Sequence, residues 1–281
     1  MTGTHRIHPH RLVIKVGTNV LLDADGYPAL GRLFTLMEAL VALRREGCEI
    51  VLVSSGAIGL GALRLGLATK AKTLDLKQAC AAVGQGELMG LYQAGFHRMD
   101  TVCAQVLLVE DDFADPVRRG NLRATLEKLL QLGVIPIINE NDTVSTLELE
   151  RVEDTPQRRR VFGDNDKLSA LVAAEVEADL LLILSDVDGL HEANPKTTPG
   201  APLIPIVKAL TPEIWALAQG GSERGRGGMG TKLEAARLGM DAGVAVVIAS
   251  GEKPGAVRDV AVGRPVGTYF VPGARPMKEK L

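Results

Sequence analysis

The chain has 281 residues, 46% hydrophobic and 23% charged, which suits one large α/β domain with a charged surface. A formal net charge of −2 leaves no electrostatic footprint for nucleic acid or anionic lipid, and 3% aromatic residues offer no stacking platforms for single strands. No stretch approaches the roughly 18–20 uninterrupted apolar residues of a membrane span, so a soluble cytoplasmic protein is expected.

Residues 1–10 carry His5, His8 and His10 but no apolar core, and read as a disordered leader rather than a secretory signal or a metal site. Residues 12–16 form a compact apolar run containing Lys15 and cut off by Gly17, Thr18 and Asn19. A lysine inside such a run either snorkels or meets an anion, and Gly17 lets backbone N–H groups approach a ligand. Leu33, Leu36, Met37, Leu40 and Val41 give helical spacing over 30–45, stopped by Gly47. The next strand, 50–53, runs into Ser54-Ser55-Gly56-Ala57-Ile58-Gly59, which reads either as a serine N-cap or as an anion-holding helix start.

The alternation continues with a strand over 102–109, a helix marked by Leu122, Leu126, Leu129 and Leu130, and a strand over 134–138. Asn139-Glu140-Asn141-Asp142 follow at once and are expected to end that strand as a ligand-facing edge. Residues 148–160 are dense in both charge signs and read as an exposed excursion. Phe162-Gly163-Asp164-Asn165-Asp166-Lys167 precedes a helix over 168–178; one of its polar residues serves as a cap, leaving the others for a ligand, the lysines or a metal. A strand over 180–184 ends in Ser185-Asp186, which reads as an ordinary turn or a nucleotide contact. Residues 220–230 hold six glycines and are expected to be irregular, leading to Thr231, Lys232 and a helix over 233–242, then a strand over 244–248.

Runs apolar on both faces, separated by helices, predict a three-layer αβα sandwich with a mainly parallel sheet, whose ligands gather beyond the carboxyl ends of the strands. Gly225–Gly230 satisfies G-x-G-x-x-G without a preceding strand, so a dinucleotide fingerprint fails its context, and Thr231 breaks the P-loop pattern. What remains suits a triphosphate: a glycine loop, a helix start and a lysine. Phosphoryl transfer needs charge neutralised around the migrating group, a job that Lys15 and Lys232 can share. Cys48, Cys80 and Cys103 lie in or beside apolar runs and read as buried thiols.

Val13-Ile14-Lys15-Val16-Gly17-Thr18, Val53-Ser54-Ser55-Gly56-Ala57-Ile58, Asn139-Glu140-Asn141-Asp142, Gly163-Asp164-Asn165-Asp166 with Leu168-Ser169-Ala170, and Gly227-Gly228-Met229 before Thr231-Lys232 span nearly the whole chain. In that order they resemble the amino acid kinase family, and within it the members that phosphorylate the side-chain carboxylate of L-glutamate to L-glutamyl 5-phosphate at the start of proline synthesis. The resemblance implies that Lys15 and Lys232 stabilise the phosphoryl in flight and that Asp166 holds them. It implies L-glutamate on Ser55, Asp142 and Asn165. ATP would lie on Lys15, Ser185, Asp186, Arg226, Gly227, Gly228, Met229, Gly230, Thr231 and Lys232. Mg²⁺ would come with ATP, with no metal-ligating protein side chain assigned.

Proline as a feedback inhibitor and a homo-oligomer are implied in the same way. A sister kinase acting on another small carboxylate or a carbamate is the alternative. Arg226 and Gly230 stand where small polar residues are expected, and the 148–160 excursion is longer than the family's. Many members carry a C-terminal PUA domain; here the kinase domain is expected over 11–272, with 273–281 as a tail or shortened linker and that module absent or removed.

Overall fold

A computed structural model describes residues 9–67, 73–145, 165–195, 197–218, 228–253 and 255–275. In chain order the elements are β1 (Arg11–Val16), α1 (Thr18–Leu21), α2 (Leu30–Arg45), β2 (Glu49–Ser54), α3 (Ala57–Arg64), α4 (Leu74–Arg98), β3 (Cys103–Leu108), α5 (Asp111–Ala114) and α6 (Pro116–Gln131). The second half holds β4 (Ile135–Glu140), α7 (Asn165–Glu175), β5 (Leu180–Ser185), β6 (Ile206–Val207), α8 (Pro212–Leu217), α9 (Met229–Asp241), β7 (Ala245–Ser250), α10 (Ala256–Ala261) and β8 (Thr268–Phe270).

The strands form one sheet in the order β3-β4-β2-β1-β5-β7-β8-β6. Every neighbouring pair is parallel except β7 with β8. The expected α/β sandwich is therefore what the chain builds. Its first four strands lie to one side of the β1–β5 pairing and its last four to the other. That pairing is the topological switch point, where a crevice opens beyond the strand ends.

Leu12, Ile14 and Val16 of β1 pack with α2, α4 and α10, while Val13 packs with α6, α7 and α9. Strands buried on both faces must be apolar throughout, which is why β5 reads Leu180-Leu181-Leu182-Ile183-Leu184. The 25-residue α4 was not read from the sequence. It lies against α3 at backbone distance: a Cβ at Gly84 would sit 1.7 Å from the Ala57 carbonyl oxygen, and one at Gly61 1.8 Å from that of Cys80. Cys48 and Cys80 are buried free thiols, as expected, and Cys103 is half-buried.

Three local expectations are corrected. Asn139 and Glu140 do extend β4, because Leu107 and Leu108 of β3 still pair with them. Asn165 and Asp166 lie inside the first turn of α7, which starts three residues earlier than its apolar run. Met229 and Gly230 already belong to α9, so the glycine-rich stretch ends in a helix four residues before Leu233. The 148–160 excursion, Asp164, Arg226 and Gly227 lie outside the described residues. Among the described residues, no helix is long and apolar enough to cross a membrane.

Candidate active site

Side-chain alternation sends Lys15 to the same face as Val13, toward α7 and α9. There it is only 4% exposed, and an ammonium so placed must find an anion. Asp166, fully buried in the first turn of α7, supplies it: Lys15 Nζ lies 2.6 Å from Oδ1. Lys232, in the first turn of α9, places Nζ 3.1 Å from Oδ2, and Thr231 Oγ1 donates to the same oxygen at 2.9 Å. One carboxylate thus holds two ammonium groups from opposite ends of the chain.

Burial pushes the Asp166 carboxyl up, but the charges of Lys15 and Lys232 and the hydrogen bonds from Lys15 and Thr231 outweigh it and bring it down to about 2. The group is an anion at every physiological pH, with no capacity to act as a base. Its position in a helix first turn adds the favourable end of the α7 dipole. A Cβ at Gly17 would lie 3.3 Å from the Leu184 carbonyl oxygen and 3.7 Å from Lys15 Nζ, so the glycine keeps the path beside the ammonium open.

A second set of polar groups crosses the ends of β2 and β4. Ser55 does not cap α3; the N-cap is Gly56, with no side-chain bond. Instead its Oγ accepts from Asn165 Nδ2 at 2.9 Å. The same amide donates to Asn139 Oδ1 at 3.0 Å, and Asn139 Nδ2 donates to Gln85 Oε1 at 2.9 Å. Ser54, on the opposite face of β2, pairs its hydroxyl with buried Tyr92 at 2.8 Å. Asp142 is buried just beyond the end of β4.

The third set lies on the β5 side. Ser185 Oγ donates to Asp186 Oδ1 at 3.0 Å, and Asn19 Nδ2 donates to Oδ2 at 3.1 Å. Gly17 N donates to the Leu184 carbonyl at 3.1 Å, joining this edge to β1. Gly228 is the N-cap of α9 in extended conformation, and its carbonyl oxygen lies 2.8 Å from Thr231 Oγ1. The first-turn N–H groups of Met229 to Thr231 have no partner within the helix, so α9 presents donors, a positive dipole end and Lys232 together.

Of the residues singled out in the sequence, Lys15, Asp166, Lys232 and Thr231 are in direct contact, and Ser55 touches Asn165. Ser185, Asp186, Met229 and Gly230 lie at the ends of elements flanking the same crevice. Arg226 and Gly227 lie outside the described residues. Gln85 and Asn19 were missed. Asn19 passed as part of the stop after β1. Gln85 sits between Gly84 and Gly86, a composition that hides a helix. Among the described residues no group of three or more His, Cys, Asp or Glu could hold a metal ion.

The sequence profile of the Amino acid kinase family matches residues 10–250. The chain is 50% identical over 263 residues to the glutamate 5-kinase of Moorella thermoacetica, covering 93% of this chain and 67% of that protein. It is 46% identical over 261 residues to the glutamate 5-kinase of Listeria innocua, covering 92% of each. Among solved structures, UMP kinase from Bacillus anthracis superposes with a TM-score of 0.58 at 16% identity, over 96% of this chain and 99% of that one, a likeness of fold alone. The chain belongs to the amino acid kinase family.

Proposed function

We infer that this chain transfers the γ-phosphoryl group of ATP to the side-chain carboxylate of L-glutamate, in the cytoplasm, giving L-glutamyl 5-phosphate and ADP at the first step of proline synthesis. The observation that carries the reading is the pair of ammonium groups held on the two oxygens of buried Asp166, at the sheet's switch point. Relatives named glutamate 5-kinase, 46–50% identical over more than nine-tenths of the chain, support the acceptor.

A carboxylate is already ionised at neutral pH, so its attack on the γ-phosphorus needs no general base. A carboxylate oxygen forms the new P–O bond as the bond to the ADP oxygen breaks, and no proton moves. The demand on the protein is alignment and neutralisation of charge on the migrating group. Lys15 and Lys232 supply the charge, and Asp166 positions them. An ammonium about 4 Å from a unit negative charge contributes roughly 4 kcal/mol at an effective dielectric near 20. Because both Asp166 oxygens are engaged by lysines, Mg²⁺ enters as ATP's own counter-ion, and no step is assigned to a protein-held metal.

Ser55, Asp142 and Asn165 would bind glutamate. Ser185, Asp186 and the segment from Arg226 to Lys232 would hold ATP. The same reading takes proline as a feedback inhibitor, a homo-oligomer as the working assembly, and residues 11–272 as the kinase domain. Incubation with ATP, Mg²⁺ and L-glutamate in hydroxylamine should yield the hydroxamate of glutamate. Hydroxamate with aspartate or acetylglutamate, and none with glutamate, would replace this acceptor by that of a sister kinase.

A further inference from the structure

The amide chain that links α4, β4, α7 and β2 has a fixed direction, and its two ends differ in polarity. Glu140 N donates to Asn139 Oδ1 at 2.9 Å. That bond sets the Asn139 amide: turned over, it would set an NH₂ against the Glu140 N–H. With Oδ1 so placed, Asn139 can receive Asn165 Nδ2 on one side and must donate to Gln85 Oε1 on the other. The Gln85 amide is fixed in turn, with Oε1 used and Nε2 turned away. Asn165 commits Nδ2 to Ser55 and Asn139, which leaves Oδ1 as its unused atom.

Gln85 Nε2 and Asn165 Oδ1 are both buried and have no hydrogen-bond partner among the described residues. Asn165 is itself only 8% exposed. A buried polar atom without a partner is costly, and such atoms persist where a ligand completes them. One end of the chain is a donor and the other an acceptor. An α-amino acid presents the matching pair, a carboxylate and an ammonium.

Building on the reaction inferred above, we propose that Gln85 is a substrate-positioning residue whose Nε2 donates to the α-carboxylate of glutamate, while Asn165 Oδ1 accepts from the α-ammonium. The side-chain carboxylate would then be the end presented to Lys15 and Lys232, which are held on Asp166 in the same first turn of α7 as Asn165. Asn139 is the relay that makes the orientation unique. Gly84 is what allows it: only without a Cβ can α4 approach the Ala57 carbonyl closely enough to bring Gln85 to the end of β4.

The test uses three ligands of the full chain. L-Glutamate is the substrate; glutarate, which lacks the ammonium, and 4-aminobutyrate, which lacks the α-carboxylate, are measured as competitive inhibitors. Gln85→Leu should raise the KM for L-glutamate and the inhibition constant of glutarate about tenfold or more, the scale of one lost hydrogen bond to a charged group. It should leave 4-aminobutyrate, kcat and the KM for ATP within about twofold, since none of them uses the lost donor. Gln85→Glu keeps the acceptor for Asn139 while placing an anion where the donor was, and should weaken glutamate and glutarate further at an unchanged thermal midpoint. Equal weakening of all three ligands, or no weakening, would overturn the assignment. A wild-type chain that forms no hydroxamate with glutamate would overturn the inferred reaction and this assignment together.

Discussion

At the scale of single residues, Asp166 is the pivot. Lys15→Ala and Lys232→Ala should each lower kcat about 100-fold or more, the range seen when one preorganised charge donor is removed. The glutamate KM should change little, because on the proposed reading glutamate would be held by Ser55, Asp142, Asn165 and Gln85 rather than by the lysines; a kcat near wild type in either variant would remove that lysine from the chemistry. Asp166→Asn leaves two ammonium groups buried without their counter-ion and should cost about 3–5 kcal/mol of stability in urea unfolding at neutral pH. The sign of its pH dependence follows from the depressed carboxyl. Asp166 stabilises fully above the ordinary 3.8, and that contribution is lost as pH falls toward about 2. The gap between wild type and the Asn variant should therefore narrow only in that acidic window, and a gap that narrows near pH 6 would point to another group. Lys15 and the acidic segments could be singled out in the sequence because polar residues next to buried apolar runs need a reason. Gln85 could not, because a glutamine on a helix is unremarked until its neighbours are known.

At the scale of elements, β1 to β5 and β7 could be read because strands of a covered parallel sheet are continuous apolar runs, whereas β6 and β8, two and three residues long, are too short to show a pattern. The 25-residue α4 could not, for physical reasons. It carries Gly84, Gly86, Gly90 and Gly95, each worth roughly 1 kcal/mol against helix relative to alanine, and its apolar residues face both α3 and the sheet rather than one stripe. Tertiary packing holds this helix against its own propensity. Gly84→Ala should accordingly destabilise the fold and raise the glutamate KM, whereas Gly86→Ala, with open space at its Cβ, should do neither. A matched effect of the two substitutions, followed by thermal melts and steady-state kinetics, would show that close approach is not the cause.

Between β5 and β6 a short hairpin is closed by His191, whose Nδ1 faces the Ala201 carbonyl at 2.7 Å and Nε2 the Asp188 carboxylate at 2.8 Å. Both partners are acceptors, so both bonds require the doubly protonated ring. Burial lowers the His191 pKa, but the bonds to Ala201 and Asp188 outweigh it and raise it above the ordinary 6.5. Its contribution is thus complete below 6.5 and lost as pH rises through the raised value. The difference in thermal midpoint between wild type and His191→Asn should shrink as pH rises from below 6.5 through the raised value. A difference that holds constant over that range would rule out the imidazolium.

At the scale of the whole molecule, the chemistry sits between two halves of one sheet. On the proposed reading, glutamate would lie at the ends of β2 and β4 beside α4 and α7, and the nucleotide at the ends of β5 and α9. β1, with Lys15 near its end, and α7, with Asn165 and Asp166 in its first turn, border both. Ligands that bridge this line stabilise the native state alone, by about 2.7 kcal/mol at a hundredfold excess over Kd. Antiparallel β8 lies between β7 and β6, and Thr268 Oγ1 both accepts from Leu190 N and donates to the Ile204 carbonyl. During synthesis, then, Lys15, Asp166 and Lys232 all leave the ribosome before the strand that covers the flank of β7. For that interval β7, apolar from Ala245 to Ala249, offers a bare edge to any neighbouring chain. β8 acts as a seal on the nascent protein, and chaperone dependence should fall once residues 268–270 have emerged.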